Sequence, residues 1–282
     1  MKILVISGSR ADWGMLQWPL KLLRDDPFFD VHLVKLHGCS TAFAYLHIQY
    51  QIGQHKPDLA LVLGDRFEIM AAVLACHLDR VQVAHLCGGD VTEGSYDDAM
   101  RDAISRMASV HFVTSTSAMA RLTHMGMRNV HLVGSPGIDY IKHADWKKER
   151  PIKEPYVVVS YQPETLDGTN EIQSVIASLP AAFPVFIMPN RDRGSEAIRD
   201  AIMEFTDTKR GEHHDLLPYD EYLNLIHHCD ELIGNSSSMV YEAPELGVKT
   251  RMIGKRQRGR VIPWGDGHAS ERIVKTLKYT HL

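Results

Sequence analysis

No stretch of the chain approaches the roughly 18 consecutive apolar residues that a membrane-spanning helix needs, and the opening MKILVISGSR reads as a buried strand rather than a cleaved leader. Both absences point to the cytosol and away from a membrane partner. Cysteine is scarce as well: Cys39, Cys76, Cys87 and Cys229 are scattered along 282 residues. They show neither the close pairs of a zinc site nor the density of a disulfide scaffold, so they read as reduced thiols and no metal site is expected. An excess of basic charge is missing too, since 31 Lys and Arg face 35 Asp and Glu for a net charge of -4. The molecule as a whole is therefore no electrostatic trap for nucleic acid, which leaves local clusters such as Lys255, Arg256, Arg258 and Arg260 to bind phosphate. No internal repeat or low-complexity tract interrupts the text.

What is present is a 44% hydrophobic chain long enough for two domains of ordinary size. Short Val/Ile/Leu runs alternate with helix-length segments: KILVIS, VHLVKL, LALVLG, VQVAHL, VHFVTS and VHLVGS, then YVVVS, PVFIMP, ELIGN and TRMIG. Continuous apolar strands separated by amphipathic stretches signal parallel sheets covered on both faces. Between the two series lies HADWKKERPIKEP, charged and bracketed by prolines as a linker is. The expected fold class is α/β, with two doubly wound Rossmann-like domains, 1–145 and 146–282, facing a cleft. Ligands of such sheets sit beyond the carboxyl ends of the strands, so the loops there carry the functional candidates.

Four such loops stand out. GSRADWG follows the first strand, where Gly8 permits a tight turn and Arg10 with helix amides makes an anion site. GNSSSMVYEAPELG places Ser236, Ser237 and Ser238 at a helix start, with Glu242 further on to accept from ribose hydroxyls. The alternative there is plain N-capping. VLGDRFE puts Asp65 at a strand end, as a general base or as a helix cap. AHLCGGDVTEGSYDDAM crowds Asp90, Glu93, Asp97 and Asp98 behind a glycine pair, preceded by Cys87 and by His85, which reads as a strand-end histidine with a backbone partner.

Taken together, GSRADWG, VLGDRFE, AHLCGGDVTEG, VGSPGID, YQPETL, GNSSSMVYEAPELG, the KRQRGR run and WGDGHASERIV resemble the hydrolysing UDP-N-acetylglucosamine 2-epimerases, especially the branch that supplies sialic acid synthesis. The resemblance runs nearly end to end. It implies the fold of B-type glycosyltransferases with the uridine nucleotide on the C-terminal domain. It assigns Arg10, Ser236, Ser237 and Glu242 to the nucleotide, with Gln162, Ser238 and Arg256 beside them, and Asp65 and Asp97 to the acid-base machinery. A UDP-sugar serves as substrate, and no further cofactor is expected.

Two positions depart from the resembled pattern. Cys87 stands where the family normally has the glutamate of H-x-E-G-G, and Gln162 where it normally has a histidine beside the diphosphate. A thiol with an ordinary pKa of about 8.5 replaces a carboxylate only when strongly perturbed, and glutamine does not titrate. Several dozen residues that normally precede KPDLALVLGDR are also missing, and another segment is missing after KRQRGR. A retained nucleotide site with a reduced acid-base set favours, on this reading, a UDP-sugar-dependent glycosyltransferase. Its base is Asp65 first and Asp90 second, and hydroxymethylated pyrimidines in phage-type DNA are a candidate acceptor. The alternative is a hydrolysing UDP-N-acetylglucosamine 2-epimerase or UDP-sugar hydrolase that yields N-acetylmannosamine and UDP. A DNA acceptor and a homodimer both remain open as partners.

Overall fold

The computed structural model describes residues 1–9, 12–92, 97–164, 168–190, 192–257 and 264–279. The chain divides into two compact units: Met1–Val91, Asp97–His143 and Val261–Leu282 form the first, Thr92–Tyr96 and Ala144–Arg260 the second.

The first unit alternates β1 (Lys2–Ser7), α1 (Trp13–Asp25), β2 (Asp30–Lys35), α2 (Thr41–His55), β3 (Leu59–Leu63), α3 (Phe67–Leu78), β4 (Gln82–Leu86), α4 (Asp97–Met107), β5 (Val110–Val113), α5 (Thr116–His124), β6 (Val130–Leu132) and α6 (Pro136–His143). Its six strands are parallel in the order β2-β1-β3-β4-β5-β6. Period-two alternation sends Ile3, Val5, Leu59, Leu61 and Leu63 to one face, where they meet Leu16, Leu20 and Leu23 of α1. Leu4, Ile6, Ala60 and Val62 go to the other, against Ala44 and Ile48 of α2 and Ala72, Val73 and Cys76 of α3. Strands covered on both sides must be apolar throughout, which is the pattern their sequences carry. The stretch between β2 and β3, where the family resemblance implied missing residues, holds α2 as the whole crossover helix.

The second unit runs β7 (Tyr156–Ser160), α7 (Ile172–Ala177), β8 (Phe183–Ile187), α8 (Ser195–Asp207), β9 (Glu212–His214), α9 (Tyr219–His228), β10 (Glu231–Gly234), α10 (Glu242–Leu246) and β11 (Thr250–Met252). These strands too are parallel, ordered β11-β10-β7-β8-β9. Beyond His143, which ends α6, the stretch expected to be a linker has no helix or strand over 144–155 and is tied into this unit. Asn224 of α9 accepts from Lys148 N–H at 3.0 Å and donates to Glu149 C=O at 3.0 Å, and Trp146 is fully buried.

The division differs from the expected 1–145 and 146–282 in two respects, the assignment of Thr92–Tyr96 to the second unit and that of the C-terminal stretch to the first. The last helix, α11 (Ala269–Tyr279), belongs to the first unit rather than the second. Two causes are visible. Ile273 and Leu277 bury in the same apolar cluster as Leu16 and Leu20. In addition, the fully buried Asp139 carboxylate of α6 accepts from the first amides of α11, Ala269 N–H at 3.1 Å and Ser270 N–H at 2.6 Å. The aspartate of VGSPGID is thus a cap supplied across a long sequence separation.

Candidate functional site

In each sheet the strand order reverses at one point, between β1 and β3 in the first and between β7 and β10 in the second. Helices leave to opposite faces there, so the loops at the carboxyl ends separate and open a crevice for ligand. The described candidates of the first unit stand beyond β3 and β4, and those of the second beyond β7, β10 and β11.

In the first unit, the loop after β1 is held by Asp12. Its carboxylate accepts from Gly8 N–H at 2.7 Å, Ser9 N–H at 2.9 Å and the Ser9 hydroxyl at 2.6 Å. Burial pushes this carboxyl above its ordinary range, while the three donors pull the other way. Arg10 itself lies outside the described residues, as do Glu93, Arg258 and Arg260.

Asp65 follows β3. The cap position of α3 is occupied by Arg66, without a side-chain cap bond, so the cap reading of Asp65 does not hold. Its carboxylate instead pairs with Arg101 of α4, a side chain only 3% exposed, which also pairs with Asp98 and donates to the Asp90 carbonyl at 2.6 Å. Asp90 accepts from the Thr114 hydroxyl at 3.3 Å through its own carboxylate. Asp97 opens α4, and its neighbour Asp98 pairs with Arg101. Arg101 was not singled out from sequence. The available signal was its spacing of three from Asp98 on a helix behind an acidic loop.

His85 braces this cluster from beneath. Fully buried, its Nε2 lies 2.8 Å from Gly64 C=O and its Nδ1 3.0 Å from the Ser105 hydroxyl. Burial drives its pKa down to about 4, so the ring is neutral, donates from Nε2 to the carbonyl and accepts the serine proton at Nδ1. The structural reading of this histidine is the one the geometry bears out.

The second unit builds its loops around Asn235, which the sequence reading passed over inside GNSSS. The Asn235 amide accepts from Gln162 N–H at 2.6 Å and donates to Gln162 C=O at 2.9 Å, closing a two-bond clasp between the ends of β7 and β10. The Gln162 side-chain oxygen accepts from Asn190 N–H at 3.0 Å. Buried Glu164 accepts from Lys255 N–H at 2.6 Å and Arg256 N–H at 3.3 Å, and the Arg256 guanidinium donates to Pro163 C=O at 3.0 Å. The expected serine trio divides. Ser236 caps a short 3-10 turn by accepting from Ser238 N–H, and Ser237 opens that turn half-buried. Ser238 is buried and takes the Tyr222 hydroxyl at 2.7 Å. Glu242 begins α10 and accepts from the Tyr219 hydroxyl at 3.1 Å.

Residues 26–262 match the protein-family model described as UDP-N-acetylglucosamine 2-epimerase. The chain belongs to that family. It is 28% identical to the polysialic acid biosynthesis protein P7 of Escherichia coli, over 92% of this chain and 80% of that one. It is 31% identical to the hydrolysing GDP/UDP-N,N'-diacetylbacillosamine 2-epimerase of Campylobacter jejuni, over 86% and 66% respectively. Among solved structures, the UDP-GlcNAc 2-epimerase of Neisseria meningitidis bound to UDP-GlcNAc shares the fold with a TM-score of 0.81, covering 99% of this chain and 100% of that one at 16% identity.

In this 2-epimerase family member, the two departures from the resembled pattern fall at strand ends. Cys87 directly follows β4, is 7% exposed and takes a left-handed backbone with φ of 65°. Its N–H donates to Phe112 C=O at 2.9 Å. Gln162 directly follows Tyr161 beyond β7 and holds its place mainly through main-chain bonds, which any side chain at this position would keep. Glycosyl transfer to DNA, the leading expectation from sequence, finds no support in this family assignment. That expectation rested on analogy of fold and economy of length.

Proposed function

We propose that the chain is a hydrolysing 2-epimerase that converts a UDP-N-acetylhexosamine, UDP-N-acetylglucosamine in the simplest case, and water into UDP and the free 2-epimer, N-acetylmannosamine. A base takes the proton from C2 while the C1–O bond to UDP breaks. UDP leaves with the bonding electron pair and a C1=C2 double bond forms. Water then delivers hydroxyl to C1, and a proton returns to C2 on the opposite face, so atoms and charge balance. The observation that carries this reading is the grouping of Asp65 and Asp98 on one buried arginine at the switch point of the first sheet. Arg101 pairs with both carboxylates and fixes their orientation, and a positioned carboxylate is what general-base catalysis needs. Asp90, Asp97 and the Cys87 thiol are the neighbouring groups that remain for proton return. In this reading the second unit supplies the nucleotide contacts, with Ser236 and Ser237 for phosphate, Gln162 and Arg256 beside them, and Glu242 for ribose.

The test is incubation with UDP-N-acetylglucosamine in D2O, and in parallel with UDP-N,N'-diacetylbacillosamine, the sugar in the name of the Campylobacter relative. The expected products are UDP and the 2-epimer carrying deuterium at C2. Release of UDP with a sugar of unchanged configuration and no deuterium would identify a UDP-sugar hydrolase instead.

A further inference from the structure

Two tyrosines stand three residues apart on α9, Tyr219 and Tyr222, a spacing that puts them on one side of the helix. Both donate to the segment that follows β10: the Tyr222 hydroxyl to Ser238 Oγ at 2.7 Å, the Tyr219 hydroxyl to Glu242 Oε1 at 3.1 Å. Ser238 is a buried side chain, for which the bond is an anchor. Glu242 is placed differently. It is half-buried at the first position of α10, and its Oε2 is closed off from solvent, so Oε1 is the oxygen through which a ligand meets the carboxylate. That is the oxygen Tyr219 holds. An ionised carboxylate offers about four acceptor sites, so the phenol proton fixes the group without exhausting its capacity for other donors. Nor is this bond needed to dock the helix: Leu223, Leu225 and Ile226 of α9 are buried, and the Leu225 carbonyl accepts from the Tyr156 hydroxyl at 2.7 Å.

We infer that Tyr219 is a positioning residue for the ribose of the nucleotide: it holds the Glu242 carboxylate in the orientation that accepts a ribose hydroxyl, and so sets the preference of the second unit for a ribonucleotide over its deoxy counterpart. The inference rests on the assignment of Glu242 to the ribose made above. Its physical basis is preorganisation. Glutamate has several rotatable bonds, and ordering them when a ligand binds costs entropy. A carboxylate already oriented in the free protein avoids that loss, and a ribose hydroxyl finds its acceptor in place. A phenol suits the task because it brings one neutral donor on a rigid ring with only two side-chain torsions. A lysine or arginine there would neutralise the carboxylate and weaken it as an acceptor.

The test is calorimetry of the full chain with UDP, 2'-deoxy-UDP and 3'-deoxy-UDP, for wild type, Tyr219→Phe, Tyr222→Phe and Glu242→Ala. Wild type should bind UDP roughly 10-fold or more tighter than the weaker deoxy analogue, the effect of a hydrogen bond to a charged group. Tyr219→Phe keeps the ring and removes only the hydroxyl. Its preference for UDP should shrink at least ~3-fold, the effect of a typical hydrogen bond, through weaker UDP binding with the affinity for that analogue nearly unchanged. With UDP-N-acetylglucosamine as substrate its KM should rise while kcat holds, because the ribose is remote from the reacting carbon. Tyr222→Phe removes an equivalent bond from the same helix and should leave the preference at the wild-type value. An unchanged preference in Tyr219→Phe, with the preference lost in Glu242→Ala, would overturn the inference and leave the ribose assignment standing. Equal weakening of all three ligands in Tyr219→Phe would also overturn it, since a bond that merely ties α9 to α10 acts on every ligand alike. No preference in wild type, or a preference that survives in Glu242→Ala, would overturn the ribose assignment and the inference with it.

Discussion

At the scale of the residue, the pairing of Asp65 with Arg101 decides what its substitution should do. Were Asp65 a helix cap, asparagine would replace it with little loss. Because its carboxylate lies on a buried guanidinium, Asp65→Asn should lower turnover by ~10²-fold or more, if the group acts as the base. UDP affinity, measured by calorimetry, should stay within a few-fold. Loss of UDP binding in parallel with turnover would instead mark Asp65 as a structural anchor of the loop. Arg101→Met is the complementary change, since it removes the cation that the Asp65 and Asp98 carboxylates share. A fully buried pair costs ~3–5 kcal/mol to break; with Asp65 21% and Asp98 25% exposed a smaller loss is expected, and this variant should melt below wild type where Asp65→Asn does not. Full stability in Arg101→Met would mean that the carboxylates are already solvated. The placement of Asp65 and Asp90 in the loops beyond β3 and β4 was legible from sequence because strand-end loops follow from periodicity alone. Arg101, Asn235 and Glu164 were not, because their roles depend on partners 36, 73 and 91 residues away.

At the scale of the element, strands were easier to read than the partners of helix ends. Strands buried on both faces announce themselves as unbroken apolar runs, so KILVIS and LALVL each contain a strand. The cap of α11 left no local trace, because the capping carboxylate comes from Asp139, more than a hundred residues earlier. Asp139→Ala should therefore act on a distant element. Two amides that bond a charged acceptor at 3.1 and 2.6 Å would be stranded in a buried site. Hydrogen bonds to a charged group are worth about 1.5–3 kcal/mol each, so a loss of roughly 3–6 kcal/mol is expected. Hydrogen exchange should place that loss at 269–279, with the second sheet unaffected. Protection unchanged in α11 would show that Ile273 and Leu277 hold the helix by burial alone. Asp139→Asn keeps one acceptor and should recover part of the loss.

At the scale of the whole molecule, the return of the C-terminal helix escaped the sequence because a linker is visible as composition, whereas a crossing back is visible only as burial of Ile273 and Leu277 beside α1. The core of the first unit also sets how the protein meets acid. His85 of β4 and His111 of β5 are register partners in adjacent strands, and both are almost fully buried. Desolvation lowers the pKa of each from 6.5 to about 4, with repulsion from a neighbouring histidine acting in the same direction. Above about pH 6.5 both folded and unfolded chains hold these rings neutral, so they contribute no pH dependence there. Between 6.5 and 4 the unfolded chain takes up protons that the folded chain refuses, and stability falls as pH falls through that window. Below about 4 the folded rings protonate too and the effect levels off. Each ring accounts for about 3 kcal/mol over the whole interval, since one pKa unit corresponds to about 1.4 kcal/mol. Urea unfolding followed from pH 7 to 4.5 should show a steep decline, with nearly two protons from this pair taken up on unfolding near pH 5. In His85→Gln the glutamine amide can still donate to Gly64 C=O but does not titrate. Its stability should start lower at pH 7, and its slope near pH 5 should be shallower by about 1.4 kcal/mol per pH unit. An unchanged slope would show that His85 carries its proton in the folded protein and that its ring is reached by water.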